Sequence, residues 1–259
     1  MTEVTDATGD GVPIVLPRQL VAETVVEASL DQVWAAVREP THLRNWFGWE
    51  AESLDAEIAH IFIETATVDS DRHSVTFEAY ETIADSLELE PTEAGATMVR
   101  IVRHNAPAID WTSGFDELNE GWVSFLQQLR LLLDLHHDED RQTLYRSGIV
   151  AEGESPPSRA LGIDALHDKP PGAEFSITLP WGEPLSGTIW HRTAFQTGLW
   201  VPALGDGLLI VMDKPKSPRR QEGGGGLLMS CFGLEAETFA DLAGRWSAWW
   251  TERYTVPSD

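Results

Sequence analysis

The residue types that most often build metal sites and nucleophilic catalysts are scattered along this 259-residue sequence. None of its eight histidines lies in an HExxH motif, and its single cysteine, Cys231, sits in an apolar run. His136 and His137 precede an acidic triplet, but adjacent side chains leave a helix in different directions, so we expect a solvated helix end. No nucleophile elbow or Cys-His pairing is present. The sequence therefore predicts no metal ion, no cofactor and no nucleophilic hydrolase.

Proton transfer needs fewer groups, since one or two polar side chains in an apolar pocket suffice. On a predicted strand at 97–104, alternation places Arg100 and His104 on one face with Met98 and Val102. If that face is concave, Arg100 is the candidate for stabilising an enolate and His104 for moving a proton. The alternative is that the same face of the sheet meets water.

The charge balance excludes some partners. The chain has 42 acidic and 18 basic residues, a formal net charge of -24, which argues against nucleic acid and against an anionic membrane surface. No apolar run is long enough to span a membrane, and residues 1–10 lack the apolar core of a secretion signal. We therefore predict a cytoplasmic protein without membrane insertion. Eleven tryptophans against three tyrosines predict a packed aromatic core or an aromatic-lined cavity.

The first elements can be placed from local patterns. Residues 1–18 have no periodicity and are predicted to be a flexible leader, followed by a strand at 19–27. Ser29 and Gln32 form a capping-box pair that predicts a short helix. Pro40 is expected to open a second one.

Between 60 and 104 the apolar period falls to two, beginning with Ile61 and Ile63, which predicts antiparallel strands. A long amphipathic helix is then expected at 116–135, and one of its faces must be covered.

The polar segment that follows this helix predicts a domain boundary near residue 150. Beyond it we expect further antiparallel strands and a second long helix at 235–253, carrying several tryptophans. The glycines at 223–226, preceded by basic residues, are predicted to form a mobile hairpin loop, which is either a plain connector or a lid over a cavity mouth. Two domains follow from these patterns, at 19–150 and 151–259.

The segments VEASLDQVW (26–34) and PTHLRNWF (40–47) resemble the START/Bet-v-one-like (SRPBCC) superfamily. Together with Gly121-Trp122 and Leu126-x-x-Leu129, they are most similar to the branch named for the activator of the heat-shock chaperone ATPase homologue. The resemblance covers about residues 19–135, whereas 151–259 resembles a degenerate or truncated unit of the same type.

This resemblance implies an α+β helix-grip fold, in which a curved antiparallel sheet wraps around a long C-terminal helix, here with a second, smaller sheet-plus-helix unit. It also implies an apolar cavity between sheet and helix. Relatives bind lipids, sterols or polyketides, cyclise polyketides, contact chaperones or confer self-resistance to enediyne antibiotics, and the fold alone does not choose among these. The residues expected to contact a ligand are Phe77, Met98, Trp111, Trp122, Phe125, Leu129, Trp190, Trp200 and Trp246.

We expect a binding protein for a hydrophobic small molecule, a polyketide or related natural product, acting as carrier, self-resistance factor or biosynthetic accessory. One alternative is a polyketide cyclase or aromatase that uses Arg100 and His104. Another is an interaction module that contacts a chaperone or a further protein partner.

Overall fold

A computed structural model describes residues 18–79, 83–104, 115–137, 139–216, 221 and 223–255 of the chain. The strands of its first sheet are β1 (Arg18–Val26), β2 (Thr67–Asp69), β3 (Ser74–Thr76), β4 (Ala84–Pro91) and β5 (Thr97–His104). They pair in the order β1-β5-β4-β3-β2, and every pairing is antiparallel. The predicted antiparallel strands between 67 and 104 are therefore present.

Three short helices join β1 to β2, namely α1 (Leu30–Ala36), α2 (Pro40–Leu43) and α3 (Leu54–Ile58), and a π-helical turn extends α3 over Ala59–Glu64. The capping box of α1 is confirmed, because Ser29 Oγ accepts from the Gln32 amide and the Gln32 side chain accepts from the Ser29 amide.

The prediction that a strand begins at Ile61 and Ile63 is wrong, because both residues lie in the π-helical turn. Leu54, Ile58 and Phe62, four residues apart, are all buried and form one apolar helical face. That spacing of four determines the local structure, and the alternation of Ile61 with Ile63 is incidental.

The long helix α4 (Glu117–Leu135) agrees closely with its predicted range. Its first turn is capped by Asp116, whose carboxylate accepts from the amides of Leu118 and Asn119. The helix packs against β1 and the rest of the first sheet, which is the relation that a helix-grip fold requires.

The second sheet is also antiparallel and has seven strands, against five in the first. Its strands are β6 (Arg141–Val150), β7 (Glu174–Thr178), β8 (Pro184–Arg192), β9 (Gln196–Val201), β10 (Gly207–Lys214), β11 (Gly224–Phe232) and β12 (Tyr254–Thr255). Two further helices belong to this half, α5 (Pro157–Ala160) and α6 (Ala236–Thr251). The α+β class is thus confirmed.

The two faces of the second sheet bury different side chains. Leu208, Ile210 and Leu228 join the core that contains α4 and the first sheet. Their neighbours Leu209 and Val211 point the other way, into the core formed with α6. The order of layers is therefore first sheet, α4, second sheet and α6, so that α4 is covered on two sides.

The position of β6 bears on the predicted domain boundary near residue 150. This strand pairs with β11 and β12, so the second sheet takes up the chain from Arg141 onward. The division into units at 150 remains a prediction, but ten residues before it already belong to the second sheet.

The segment predicted to be a mobile glycine loop is largely a strand. Gly224, Gly225 and Gly226 begin β11 and pair with both β6 and β10. A Cβ at Gly225 would lie 2.1 Å from Cγ of Pro157, which begins α5. The absence of a side chain thus lets α5 cross the strand closely. Gly224 to Gly226 are therefore strand and not loop, while residues 217–220 and 222 of the preceding hairpin lie outside the described residues, so the lid remains a prediction.

Among the described residues, no helix is long and apolar enough to cross a membrane. The same part of the chain contains no cluster of three or more His, Cys, Asp or Glu side chains arranged to hold a metal ion.

Candidate ligand-binding cavity

A cavity of about 390 Å³ lies between α4, the second sheet and the segment around α2 and the π-helical turn. Its volume falls within the range of roughly 300–1,000 Å³ typical of small-molecule sites. From the first half of the chain it is lined by Phe47, Trp49, Ile61, Leu118, Gly121, Trp122 and Phe125. From the second sheet it is lined by Tyr145, Ile210, Met212, Gly226, Leu227 and Leu228. Both halves of the chain therefore build one cavity.

Trp122 is held in the cavity wall by a stacking contact and a hydrogen bond. It stacks on Phe77, with ring centroids 5.1 Å apart, and its indole N–H donates to Asp85 Oδ2 at 3.0 Å. Asp85 also accepts two hydrogen bonds from the Arg103 guanidinium, at 2.9 and 3.0 Å. A buried ion pair thus fixes the orientation of the ring that faces the cavity.

The opposite wall comes from the loop after α2, which carries Phe47 and Trp49. Trp49 stacks on Tyr145 of β6, with ring centroids 3.6 Å apart and an interplanar angle of 13°. Phe47 packs against Phe125 of α4, with a centroid distance of 4.9 Å. Flat aromatic faces therefore bound the cavity from both halves of the chain, an arrangement that suits a planar apolar ligand.

Arg141 holds this loop in place. Its guanidinium donates to the carbonyls of Arg44 and Phe47 at 2.9 Å and of Gly48 at 3.3 Å, and to Gln128 Oε1 at 2.5 Å. Burial lowers the pKa of Arg141 to about 9, so the group is still charged at neutral pH. The first residue of β6 thereby positions the aromatic wall that Phe47 and Trp49 provide.

The cavity has two polar regions. At one, Lys214 Nζ lies 2.8 Å from Glu117 Oε1 and 3.1 Å from Ser147 Oγ, so its charge is already paired. At the other, Ser124 of α4 donates toward Gln196 Oε1 of β9 at 3.0 Å. The remaining lining is overwhelmingly apolar.

Behind Ser124 lies a buried polar network that joins α4 to the second sheet. The Glu120 carboxylate accepts from Gln196 Nε2 at 2.5 Å and from Thr193 Oγ1 at 2.9 Å. Burial raises the pKa of Glu120 above its ordinary value, and the bonds from Gln196 and Thr193 oppose that rise. The network thus determines whether Ser124, the serine among the described lining residues, donates or accepts a hydrogen bond in the cavity.

His191 of β8 completes this network, since its Nε2 lies 3.0 Å from Gln196 Oε1. Burial lowers the pKa of His191 to about 4, with repulsion from Arg130 acting in the same direction, so the ring is neutral at pH 7. Gly198 faces it on β9, and a Cβ there would lie 2.2 Å from the ring. Glycine at 198 is therefore what makes room for the imidazole.

The structure brings together part of the predicted ligand set. Trp122 and Phe125 line the cavity, and Phe77 lies directly behind Trp122. Leu129, one turn beyond Phe125, is fully buried in the core below the cavity. Trp111 lies outside the described residues.

The predicted second-half tryptophans lie elsewhere. Trp190 and Trp200 face the α4 side of the second sheet but are not among the cavity-lining residues, and the Arg130 guanidinium covers Trp190 at 4.2 Å. Trp246 is fully buried on the other side of that sheet and packs edge-on against Trp181, with centroids 5.0 Å apart. It fills the core under α6, where the sheet separates it from the cavity.

Arg100 and His104 face away from α4, because Val99 and Ile101 occupy the inward positions of β5. Arg100 pairs with Glu90 at 2.5 Å and Glu23 at 3.3 Å, and His104 Nε2 lies 2.8 Å from Ser86 Oγ. Met98 shares their face of the strand. Arg100 and His104 line a separate groove of about 650 Å³ on the outer face of the first sheet, together with charged side chains such as Glu88 and Glu90, and they do not reach the apolar cavity. Their catalytic role remains a prediction.

No family model matches this sequence, and no curated protein matches it significantly. Among solved structures, the di-domain ARO/CYC BexL from the BE-7585A biosynthetic pathway aligns over 88% of this chain and 88% of its own, with 9% identity and a TM-score of 0.37. DynU16, from the dynemicin biosynthetic locus, aligns over 92% and 96%, with 18% identity and a TM-score of 0.28. The Aha1 dimer from Colwellia psychrerythraea aligns over 47% and 98%, with 16% identity and a TM-score of 0.32. The function therefore has to be inferred from the cavity itself.

Proposed function

We propose that this protein binds a hydrophobic, ring-bearing small molecule of the polyketide type in the cavity between α4 and the second sheet. The observation that carries the proposal is the cavity of about 390 Å³ walled by Trp122, Phe125, Phe47 and Tyr145. A planar apolar ligand would stack on these rings and remove their faces from water. Carrier, self-resistance and biosynthetic accessory roles all require such a complex.

The cyclase alternative rested on Arg100 and His104, which lie on the outer face of the first sheet and are engaged with Glu90, Glu23 and Ser86. They line a separate groove there and not the apolar cavity, so nothing in the lining of that cavity favours catalysis over binding, and binding alone is proposed.

The expected affinity follows from ligand size. A three- or four-ring aromatic has roughly 20 non-hydrogen atoms, and at about 0.3 kcal/mol per atom the binding free energy is about 6 kcal/mol. This corresponds to a dissociation constant of tens of micromolar. Titration with 2-methylanthraquinone, followed by quenching of tryptophan emission and by a thermal shift, tests the proposal. No response in either measurement at about 100 micromolar probe, kept in solution with dimethyl sulfoxide, would contradict it.

Gly121→Phe is expected to weaken binding of 2-methylanthraquinone at least tenfold. Gly121 lines the cavity, and a Cβ added there meets no atom within 4 Å, so the new ring enters the space that the ligand would occupy. Isothermal titration of wild type and variant measures the change.

The controls for this prediction are two glycine-to-alanine changes. Gly121→Ala and Gly244→Ala, in the middle of α6 and also free of clashes, should each stabilise a helix by about 1 kcal/mol and leave binding within twofold of wild type. A Gly121→Phe protein that binds the probe as tightly as wild type would place the ligand outside this cavity.

A further inference from the structure

The hydrogen-bond network behind Ser124 determines which kind of ligand group the cavity accepts. Gln196 Nε2 lies 2.9 Å from the Glu120 carbonyl and 2.5 Å from Glu120 Oε2. Both of those atoms accept hydrogen bonds, so the amide nitrogen of Gln196, and not its oxygen, must face Glu120. The orientation of the Gln196 amide is thereby fixed.

Gln196 Oε1 consequently points toward Ser124 Oγ and His191 Nε2, each at 3.0 Å. The Ser124 hydroxyl has one proton, and its two hydrogen bonds within the described structure, to Gln196 Oε1 and to the Glu120 carbonyl at 3.0 Å, are both bonds in which it donates. Whichever of these two acceptors it bonds to, the Ser124 proton stays within the network. What Ser124 Oγ has left to offer the cavity is a lone pair.

We propose that the ligand carries a hydrogen-bond donor, a hydroxyl or an N–H group, which Ser124 Oγ accepts, so that the cavity discriminates hydroxylated from O-alkylated or carbonyl-bearing rings at this position. The inference rests on the proposed function, because it assigns the polar group of the ligand bound there. An acceptor on the ligand would meet the lone pairs of Ser124 and lose its water without compensation. A donor would also be favoured by the Glu120 carboxylate, whose charge polarises the Gln196 amide.

The test compares three probes of similar shape on the full chain: 2-methylanthraquinone, 2-(hydroxymethyl)anthraquinone and its methyl ether. The alcohol does not ionise near neutral pH, so it remains a donor. We expect the wild type to bind the alcohol about three- to tenfold more tightly than the ether, the range of one neutral hydrogen bond. In Ser124→Ala the alcohol and the ether should bind within twofold of each other, with ether affinity unchanged.

Equal binding of alcohol and ether by the wild type would overturn this inference, and so would a preference for the alcohol that persists in Ser124→Ala. The wild-type comparison needs no variant, so it stands even if Ser124→Ala folds poorly. If all three probes fail to bind, the proposed function fails and this inference with it. If 2-methylanthraquinone binds and the alcohol gains nothing, only the role of Ser124 is rejected.

Discussion

Replacing Asp85 by alanine is expected to lower the free energy of unfolding by about 3–5 kcal/mol, the usual cost of removing one partner from a buried ion pair. The Arg103 side chain is only 1% exposed, and Asp85 accepts both of its charge-assisted hydrogen bonds. Asp116 Oδ2 lies 3.9 Å from Arg103 Nη1, and that nitrogen makes no hydrogen bond among the described residues. Alanine would thus leave a buried guanidinium without these two hydrogen bonds and with only the longer contact to Asp116. Urea denaturation followed by circular dichroism measures the loss.

The double variant Asp85→Leu, Arg103→Met separates loss of the pair from loss of the charge balance. It removes both charges and fills the same volume with apolar atoms, so it should recover most of the stability lost in Asp85→Ala. Asp69→Ala, at an exposed Asp paired with Arg72 at 3.7 Å, should change stability little and controls for removal of one negative charge. An Asp85→Ala protein within 1 kcal/mol of wild type would contradict the prediction.

Asp85 also links stability to the cavity, since it accepts the indole N–H of Trp122. In the double variant this acceptor is absent although the core is repacked. We therefore expect weaker binding of 2-methylanthraquinone by the double variant at nearly normal stability, which separates the positioning of Trp122 from folding.

Elements with strong local signals were predictable from sequence. The α1 capping box needs only Ser29 and Gln32, and α4 needs only its apolar stripe and the cap at Asp116. Both depend on residues within a few positions of one another, so tertiary context does not alter them.

The cavity was only half predictable because its walls meet through tertiary packing. Trp122 and Phe125 could be found on the long helix, but Tyr145 lies on β6, a strand that was not predicted, and Phe47 comes from a loop fixed by Arg141. One signal was present in the sequence, since Gly121 leaves a gap in the stripe of large side chains on α4. A small residue among large side chains on one helical face indicates that the space beside it is not filled by the helix itself.

The tryptophan excess has two explanations in the structure. Trp246, Trp249 and Trp250 pack with Trp181 and Tyr254 into a closed core under α6. Among the described tryptophans, Trp49 and Trp122 are the two that line the cavity. The sequence pattern around the tryptophans does not separate these two groups. They differ in the side of the second sheet on which they lie, the α6 side for the closed core and the α4 side for the cavity.

His191 is expected to make the protein less stable as the pH falls from 6.5 toward 4. Its pKa is lowered to about 4 in the folded state, chiefly by burial, against 6.5 for the ordinary side chain. Above pH 6.5 the imidazole is neutral in both states and the full stability is present. Between pH 6.5 and about 4 the unfolded chain binds a proton that the folded chain excludes, so stability falls. The total loss is about 3 kcal/mol, from about 1.4 kcal/mol for each pH unit of the pKa difference.

His191→Gln isolates this effect because glutamine keeps an N–H donor for Gln196 Oε1 and does not titrate. The free energy of unfolding is measured by urea denaturation from pH 7.5 to 4.5, and the wild-type value minus the variant value is plotted against pH. Taking the difference removes the carboxylates common to both proteins, including Glu120, whose raised pKa acts in the opposite direction. The difference should fall by about 2–3 kcal/mol over this range. A level difference for His191→Gln would mean that the imidazole is hydrated or already charged in the folded protein, and that the network behind Ser124 is not closed to water.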